Sequence, residues 1–165
     1  MISLIGMPGS GKTSLSKALR KYGWRMIDTD EMIADKMGMP VADFVEQYGE
    51  FAFRLIEGEI ILGLAPRPHP TIVATGGSVV YSKGAGHALC ALGPVVWLQA
   101  SEETLKGRVP NLRERGVIHC SLGLHDLLAE RNPRYEAYST HRLAVDGKSI
   151  DDLAAEFQKM FGKTR

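Results

Sequence analysis

The stretch "LIGMPGSGKTSL", residues 4–15, decides the fold. An apolar run leads into it. Gly6, Pro8, Gly9 and Gly11 then crowd eight residues, directly before Lys12 and Thr13. Glycine and proline break regular structure, so this segment does something regular structure cannot. Gly6 to Thr13 fits G-x-x-x-x-G-K-[ST]. It follows the strand-like "MISLIG" and precedes the helical "TSLSKALRKYG", the context in which such a loop cradles phosphate. Glycines let successive backbone N–H groups approach phosphate oxygens, and the helix presents its positive end to the same anion. On this reading Gly6, Pro8, Gly9, Ser10, Gly11, Lys12, Thr13 and Ser14 form a nucleoside triphosphate site. Lys12 reaches the β- and γ-phosphates, and the Thr13 hydroxyl ligates Mg²⁺. The loop specifies the nucleotide and leaves the chemistry open.

Working outward, apolar β-rich runs alternate with helical patterns. "WRMIDTD", "TIVATGG", "PVVWLQA" and "HRLAVDG" read as further strands. "DEMIADKMG", "VADFVEQYG", "EFAFRLIEGEIILGLA", "SEETLKGR" and "SIDDLAAEFQKMF" read as helices, with a capping box expected at Ser101. "LHDLLAERNPRYEAYS" reads as a helix with a break at Pro133. Such alternation implies an α/β fold, a three-layer sandwich with a central five-stranded parallel sheet. Ligands then bind beyond the carboxyl ends of the strands. That directs attention to 6–13, 28–30, 75–78, 99–101 and 145–148.

The bulk properties narrow the function. The chain has 165 residues, 44% hydrophobic and 24% charged, which suits one globular domain. A net charge of +1 gives no field that would draw nucleic acid or an anionic membrane. Cys90 and Cys120 have no CxxC or metal-type spacing and read as reduced thiols, and no apolar run reaches the length of a membrane span. A cytoplasmic monomer is the expectation.

Asp28 and Asp30 end the second strand-like run. If extended, they project from the same side toward the phosphate loop. One could hold Mg²⁺ and the other accept a proton from a hydroxyl; alternatively Asp28 caps the next helix. Arg54 sits among apolar residues, with Glu50 four before and Glu57 three after. It reads either as part of a solvated ion-pair stripe or as a guanidinium held by Glu57 and aimed at a carboxylate, where Arg outperforms Lys. Gly76 and Gly77 allow close backbone approach at a strand exit. Arg131, before Asn132-Pro133, could complete an acid clamp.

Together the phosphate loop, "DTD", "GEFAFRLIE" at 49–57, "ATGG" and "ERNPRY" resemble the shikimate kinase family nearly end to end. The resemblance implies a P-loop nucleotide-kinase-like fold over residues 1–165. It places a substrate-binding helical segment at about 31–64 and a lid at about 107–123. It implies ATP- and Mg²⁺-dependent phosphorylation of the 3-hydroxyl of shikimate. Asp30, Arg54, Gly76, Gly77 and Arg131 would bind the substrate, Asp28 would join Thr13 near Mg²⁺, and Arg108 would stack on adenine. Two departures stand out. Ser78 replaces a third glycine, and "VPNLRERGVIHCSLG" replaces the family's R-P-L-L segment, leaving Arg113 or Arg115 as lid arginine. The catalytic set is then Lys12, Asp30 and one of Arg113 and Arg115. His119 and Cys120 lie in the same stretch and receive no role. Two alternatives stay open from the residues: another P-loop kinase acting on a sugar acid or related hydroxy-acid, and a non-catalytic nucleotide-binding protein.

Overall fold

The computed structural model describes residues 1–109 and 123–162. Its centre is strand β1, Ile2–Ile5, buried along its whole length. Continuous burial of an apolar strand requires neighbours on both edges and cover on both faces. Strands β2 (Arg25–Asp28), β3 (Thr71–Ala74), β4 (Val95–Gln99) and β5 (His141–Ala144) complete a parallel sheet in the order β2-β3-β1-β4-β5. The chain therefore moves to opposite sides of β1, which opens a crevice at the carboxyl end of that strand. The register puts Leu4, Ala74 and Asp28 at one level. Everything that follows these residues emerges at the same edge.

Helices α1 (Lys12–Leu19), α2 (Thr29–Met37), α3 (Val41–Leu62), α4 (Ala85–Leu92), α5 (Glu102–Arg108), α6 (Leu124–Tyr138) and α7 (Ile150–Phe161) flank the sheet. One core joins the strands to α1, α4, α6 and α7 through residues such as Leu15, Leu89, Tyr135 and Phe157. Helices α2 and α3 pack on each other around a separate cluster of Ile33, Phe44, Phe53 and Ile60.

The two helices expected on either side of Gly49 meet there at a kink, where Gly49 leaves helical geometry at φ 83°, and together they make up α3. Three sequence expectations change. Helix α4 was not expected. "AGHALCAL" is short, almost uniformly apolar and without charge contrast, so its period is hidden. Helix α6 runs unbroken through Pro133. The missing N–H leaves the carbonyl of Ala129 without its helical donor, and both residues lie on the solvent side, where water can serve it. Ser101 caps α5 through Thr104 N–H at 3.2 Å, but its own N–H goes to Asp146. The reciprocal capping box belongs to Ser149 and Asp152 at the start of α7.

Candidate active site

The phosphate-type loop links β1 to α1, and its backbone is held open from within. Lys12 is buried, and its Nζ donates to the carbonyls of Gly6 (2.7 Å) and Met7 (2.9 Å), arching the side chain over the loop. Gly9, at φ 82°, leaves no room for a side chain: a Cβ would lie 2.3 Å from Val109 Cγ2. Helix α1 starts at Gly11 with no side-chain cap, so its first N–H groups face the cleft. The buried Ser10 Oγ has no hydrogen-bond partner among the described residues. Uncapped amides and an orphaned hydroxyl around an open loop fit an anion with many acceptor oxygens.

Asp28 takes the capping role the sequence offered and also meets Thr13. Its Oδ1 accepts from the N–H groups of Asp30 (3.0 Å) and Glu31 (3.4 Å), capping α2. Its Oδ2 accepts from Thr13 Oγ1 at 3.0 Å. The hydroxyl–carboxylate pair presents hard oxygen donors. Among the described residues no group of three or more His, Cys, Asp or Glu could hold a metal by itself. Mg²⁺ asks for less: one or two protein oxygens, completed by phosphate and water.

Asp30 departs from the extended reading. The strand ends at Asp28, and Asp30 lies in the first turn of α2. It still lines the cleft, because the helix turns its carboxylate against Gly76, whose added Cβ would meet Asp30 Oδ1 at 2.6 Å. Asp30 keeps solvent access. The cleft walls nevertheless desolvate it, and with the Asp28 charge they raise its pKa above the ordinary carboxylate range against the pull of Lys12.

The strand exit after β3 forms the opposite wall. Gly76 N–H donates to Thr29 Oγ1 at 3.3 Å. The Gly77 carbonyl accepts from Tyr135 Oη (2.5 Å) and Arg131 Nη1 (3.3 Å). A Cβ on Gly77 would lie 2.6 Å from Pro8 Cδ, so the exit abuts the phosphate loop. Arg131, 1% exposed, is the largest fully buried side chain among the described residues.

Glu57 does not anchor Arg54. Its oxygens accept from Ser78 Oγ (3.0 Å) and Ser82 Oγ (2.5 Å), and the glutamate that meets Arg54 is Glu50, at 3.4 Å. Ser78, at the third-glycine position, thus spends its hydroxyl on a buried acid. Burial pushes the Glu57 carboxyl up to about 7, with the Asp30 charge adding to it, while both serines and Arg131 oppose. A pKa raised on folding contributes stability below the unfolded value, near 4.5, that is lost as pH rises through about 7. Glu57→Gln removes this loss. Relative to the wild type, the variant should gain on the order of 2 kcal/mol between pH 5 and pH 8 in denaturant titrations. A pH-independent difference would refute the assignment.

These walls enclose a cleft of about 570 Å³, lined by Pro8, Gly9, Gly11, Lys12, Thr13 and Ser14 on one side and by Asp30, Gly76, Gly77 and Arg131 on the other. Gly6 sits one layer back, where a Cβ would meet the Leu98 carbonyl at 2.6 Å. Arg108 borders the cleft and donates to the Gly9 carbonyl at 3.4 Å. Arg54 does not line the cleft but joins Arg131 across the ring of Tyr81. Arg113, Arg115 and residues 110–122 of the expected lid lie outside the described residues. Lys148 was missed as a lining residue; it follows β5, inside the 145–148 window that the topology singled out. Tyr81 was missed because nothing in the sequence marks an aromatic three residues beyond a serine.

A phosphate loop at the switch point of a parallel sheet, with a carboxylate and a buried arginine facing it, defines a P-loop phosphotransferase for small molecules. The comparison with known proteins is narrower. The chain matches the shikimate kinase family over residues 8–161 and belongs to it. It is 34% identical to a shikimate kinase of Symbiobacterium thermophilum, covering 96% of this chain and 94% of that one. It is 37% identical to one of Paracidovorax citrulli, covering 92% and 86%. The structure of a shikimate kinase from Acinetobacter baumannii in complex with shikimate superposes with a TM-score of 0.87 at 27% identity, covering 96% and 90%. This protein is accordingly a shikimate kinase-type phosphotransferase that acts on a hydroxyl group, and its family uses ATP.

Proposed function

We propose that this chain transfers the γ-phosphoryl group of ATP to the 3-hydroxyl of shikimate, with Mg²⁺ held by Thr13 and Asp28. The observation that carries the reading is the contact of two walls. Pro8 of the nucleotide loop lies against Gly77 of the strand exit, so a phosphate on one wall faces a hydroxyl on the other. Bound Mg²⁺ would neutralise phosphate charge during transfer. The loop amides, Ser10 Oγ, Ser14 and Lys12 bind the phosphates, and Arg108 borders the adenine side. Arg131 and Arg54 clamp the acid group of the substrate, which fixes one hydroxyl in line. The Gly76 and Gly77 backbone lets the ring approach, and Asp30 accepts the hydroxyl proton. Arg113 or Arg115, from a lid at 107–123, steadies the developing charge, and the 31–64 helical segment carries Arg54. We take the protein to work as a cytoplasmic monomer, with no nucleic-acid partner; its near-balanced charge supports the last point.

ADP release with ATP and Mg²⁺, measured with shikimate and then with a panel of sugar acids and other hydroxy-acids, tests the reading. Shikimate should give the highest kcat/KM. Nucleotide binding without shikimate turnover would refute it. The panel would then separate another acceptor from a protein that only binds nucleotide.

A further inference from the structure

Tyr81 stands between the two arginines read as an acid clamp. Arg54 arrives from α3, and its guanidinium lies 4.8 Å from the centre of the Tyr81 ring. Arg131 arrives from α6, with its guanidinium 5.3 Å from the same ring. Arg134, one turn further along α6, lies 5.0 Å away. Three guanidiniums thus gather on one aromatic side chain. Arg131 Nε also donates to Tyr81 Oη at 3.4 Å.

Physical chemistry says why such a ring would matter. Two guanidiniums brought to one region repel each other, and Arg131 keeps only 1% of its surface exposed, at the cleft wall. Full screening by carboxylates would defeat the purpose, since an acidic partner competes with an acidic substrate. An aromatic face attracts cations through its quadrupole without a net charge. It can hold two guanidiniums in place without adding a negative charge to the one Glu50 already sets against Arg54 at 3.4 Å. Packing by the ring also limits the rotamers of a long side chain, so less ordering is left for the substrate to impose. The short turn after the glycine exit fixes where the ring sits, because Tyr81 N–H donates to the Ser78 carbonyl at 2.8 Å.

We propose that Tyr81 is a positioning residue that holds Arg54 and Arg131 as one unit for the substrate carboxylate. The inference rests on the clamp reading given above, and the experiment separates the two. Steady-state kinetics are measured for wild type, Tyr81→Leu, Tyr81→Phe, Arg54→Ala and the Tyr81→Leu/Arg54→Ala double variant, varying shikimate and ATP separately. Tyr81→Leu should raise the shikimate KM about 10-fold, with ATP KM and kcat changed by less than about 3-fold. Tyr81→Phe keeps the ring and should recover most of the loss. In the double variant the two effects should fall well short of multiplying. An unchanged ATP KM reports an intact fold, and the Phe variant serves that purpose if Leu is poorly folded. If Arg54→Ala raises the shikimate KM while Tyr81→Leu leaves it within about 2-fold, Tyr81 positions nothing and the clamp survives. Phe as impaired as Leu would overturn the role of the ring. If Arg54→Ala itself leaves the KM unchanged, the clamp reading falls and this proposal with it.

Discussion

Asp30→Asn should lower kcat by about 10²–10⁴-fold while leaving ATP affinity near the wild-type value. Asn keeps the shape of the side chain and can still hydrogen-bond a hydroxyl, but it cannot take a proton. Asp30 is well placed to do so, with its carboxylate turned against Gly76, on the wall that faces the phosphate loop. Its basicity also suits proton transfer. Desolvation and the neighbouring Asp28 raise its pKa, which makes it a better proton acceptor than an ordinary surface aspartate. The positive charge of Lys12 opposes that shift only in part. Turnover and ATP titration of the purified variant check the expectation. A kcat within about 3-fold of wild type would mean that Asp30 only orients the substrate, and that proton loss follows transfer without a base.

All five strands were legible, β1, β3 and β4 as short buried apolar runs bounded by glycine or proline, and the alternation was read except for the helix between β3 and β4. The phosphate loop was legible for a different reason. Its residues obey backbone constraints at fixed spacing, and those constraints leave a pattern even where side chains contribute little. Asp28 could be read in two ways; the capping reading holds through Oδ1, while Oδ2 meets Thr13.

What stayed hidden depends on contacts between distant segments. Glu57 lies three residues from Arg54, and local spacing suggested a pair. Ser78 and Ser82, more than twenty positions away in sequence, take that carboxylate instead. Tyr81 could not be found from spacing, because its three guanidinium neighbours come from two helices that meet only in the folded chain. Helix α4 was missed where uniform apolarity erased the period. The failures at Glu57 and Tyr81 share a cause: the signal lies in tertiary packing, and the local sequence carries no trace of it.

Lys12→Met tests the other wall and should lower kcat by about 10²–10³-fold. Methionine matches the length and the apolar stem of lysine, so it removes the charge with little change in volume. Two losses follow, and they can be measured apart. The first is electrostatic. A buried ammonium at the phosphate loop acts in a site of low dielectric, where one charge aimed at the transferring group is worth several kcal/mol. The second is structural. Lys12 Nζ donates to the Gly6 and Met7 carbonyls, and the variant leaves both without that donor. The Met7 carbonyl keeps the Ser10 N–H at 3.1 Å, so the loss falls mainly on Gly6, and an unpaired buried carbonyl costs about 1–3 kcal/mol, which should appear as a lower Tm of the ligand-free protein. Saturating ATP raises the Tm of the wild type, since a ligand that binds only the folded state stabilises it by mass action. In Lys12→Met that increment should shrink as well as the starting Tm. A variant with reduced Tm but wild-type kcat would confine Lys12 to bracing the loop. The reverse, unchanged Tm with kcat lost, would assign its two carbonyl contacts no structural weight and leave the charge as its whole contribution.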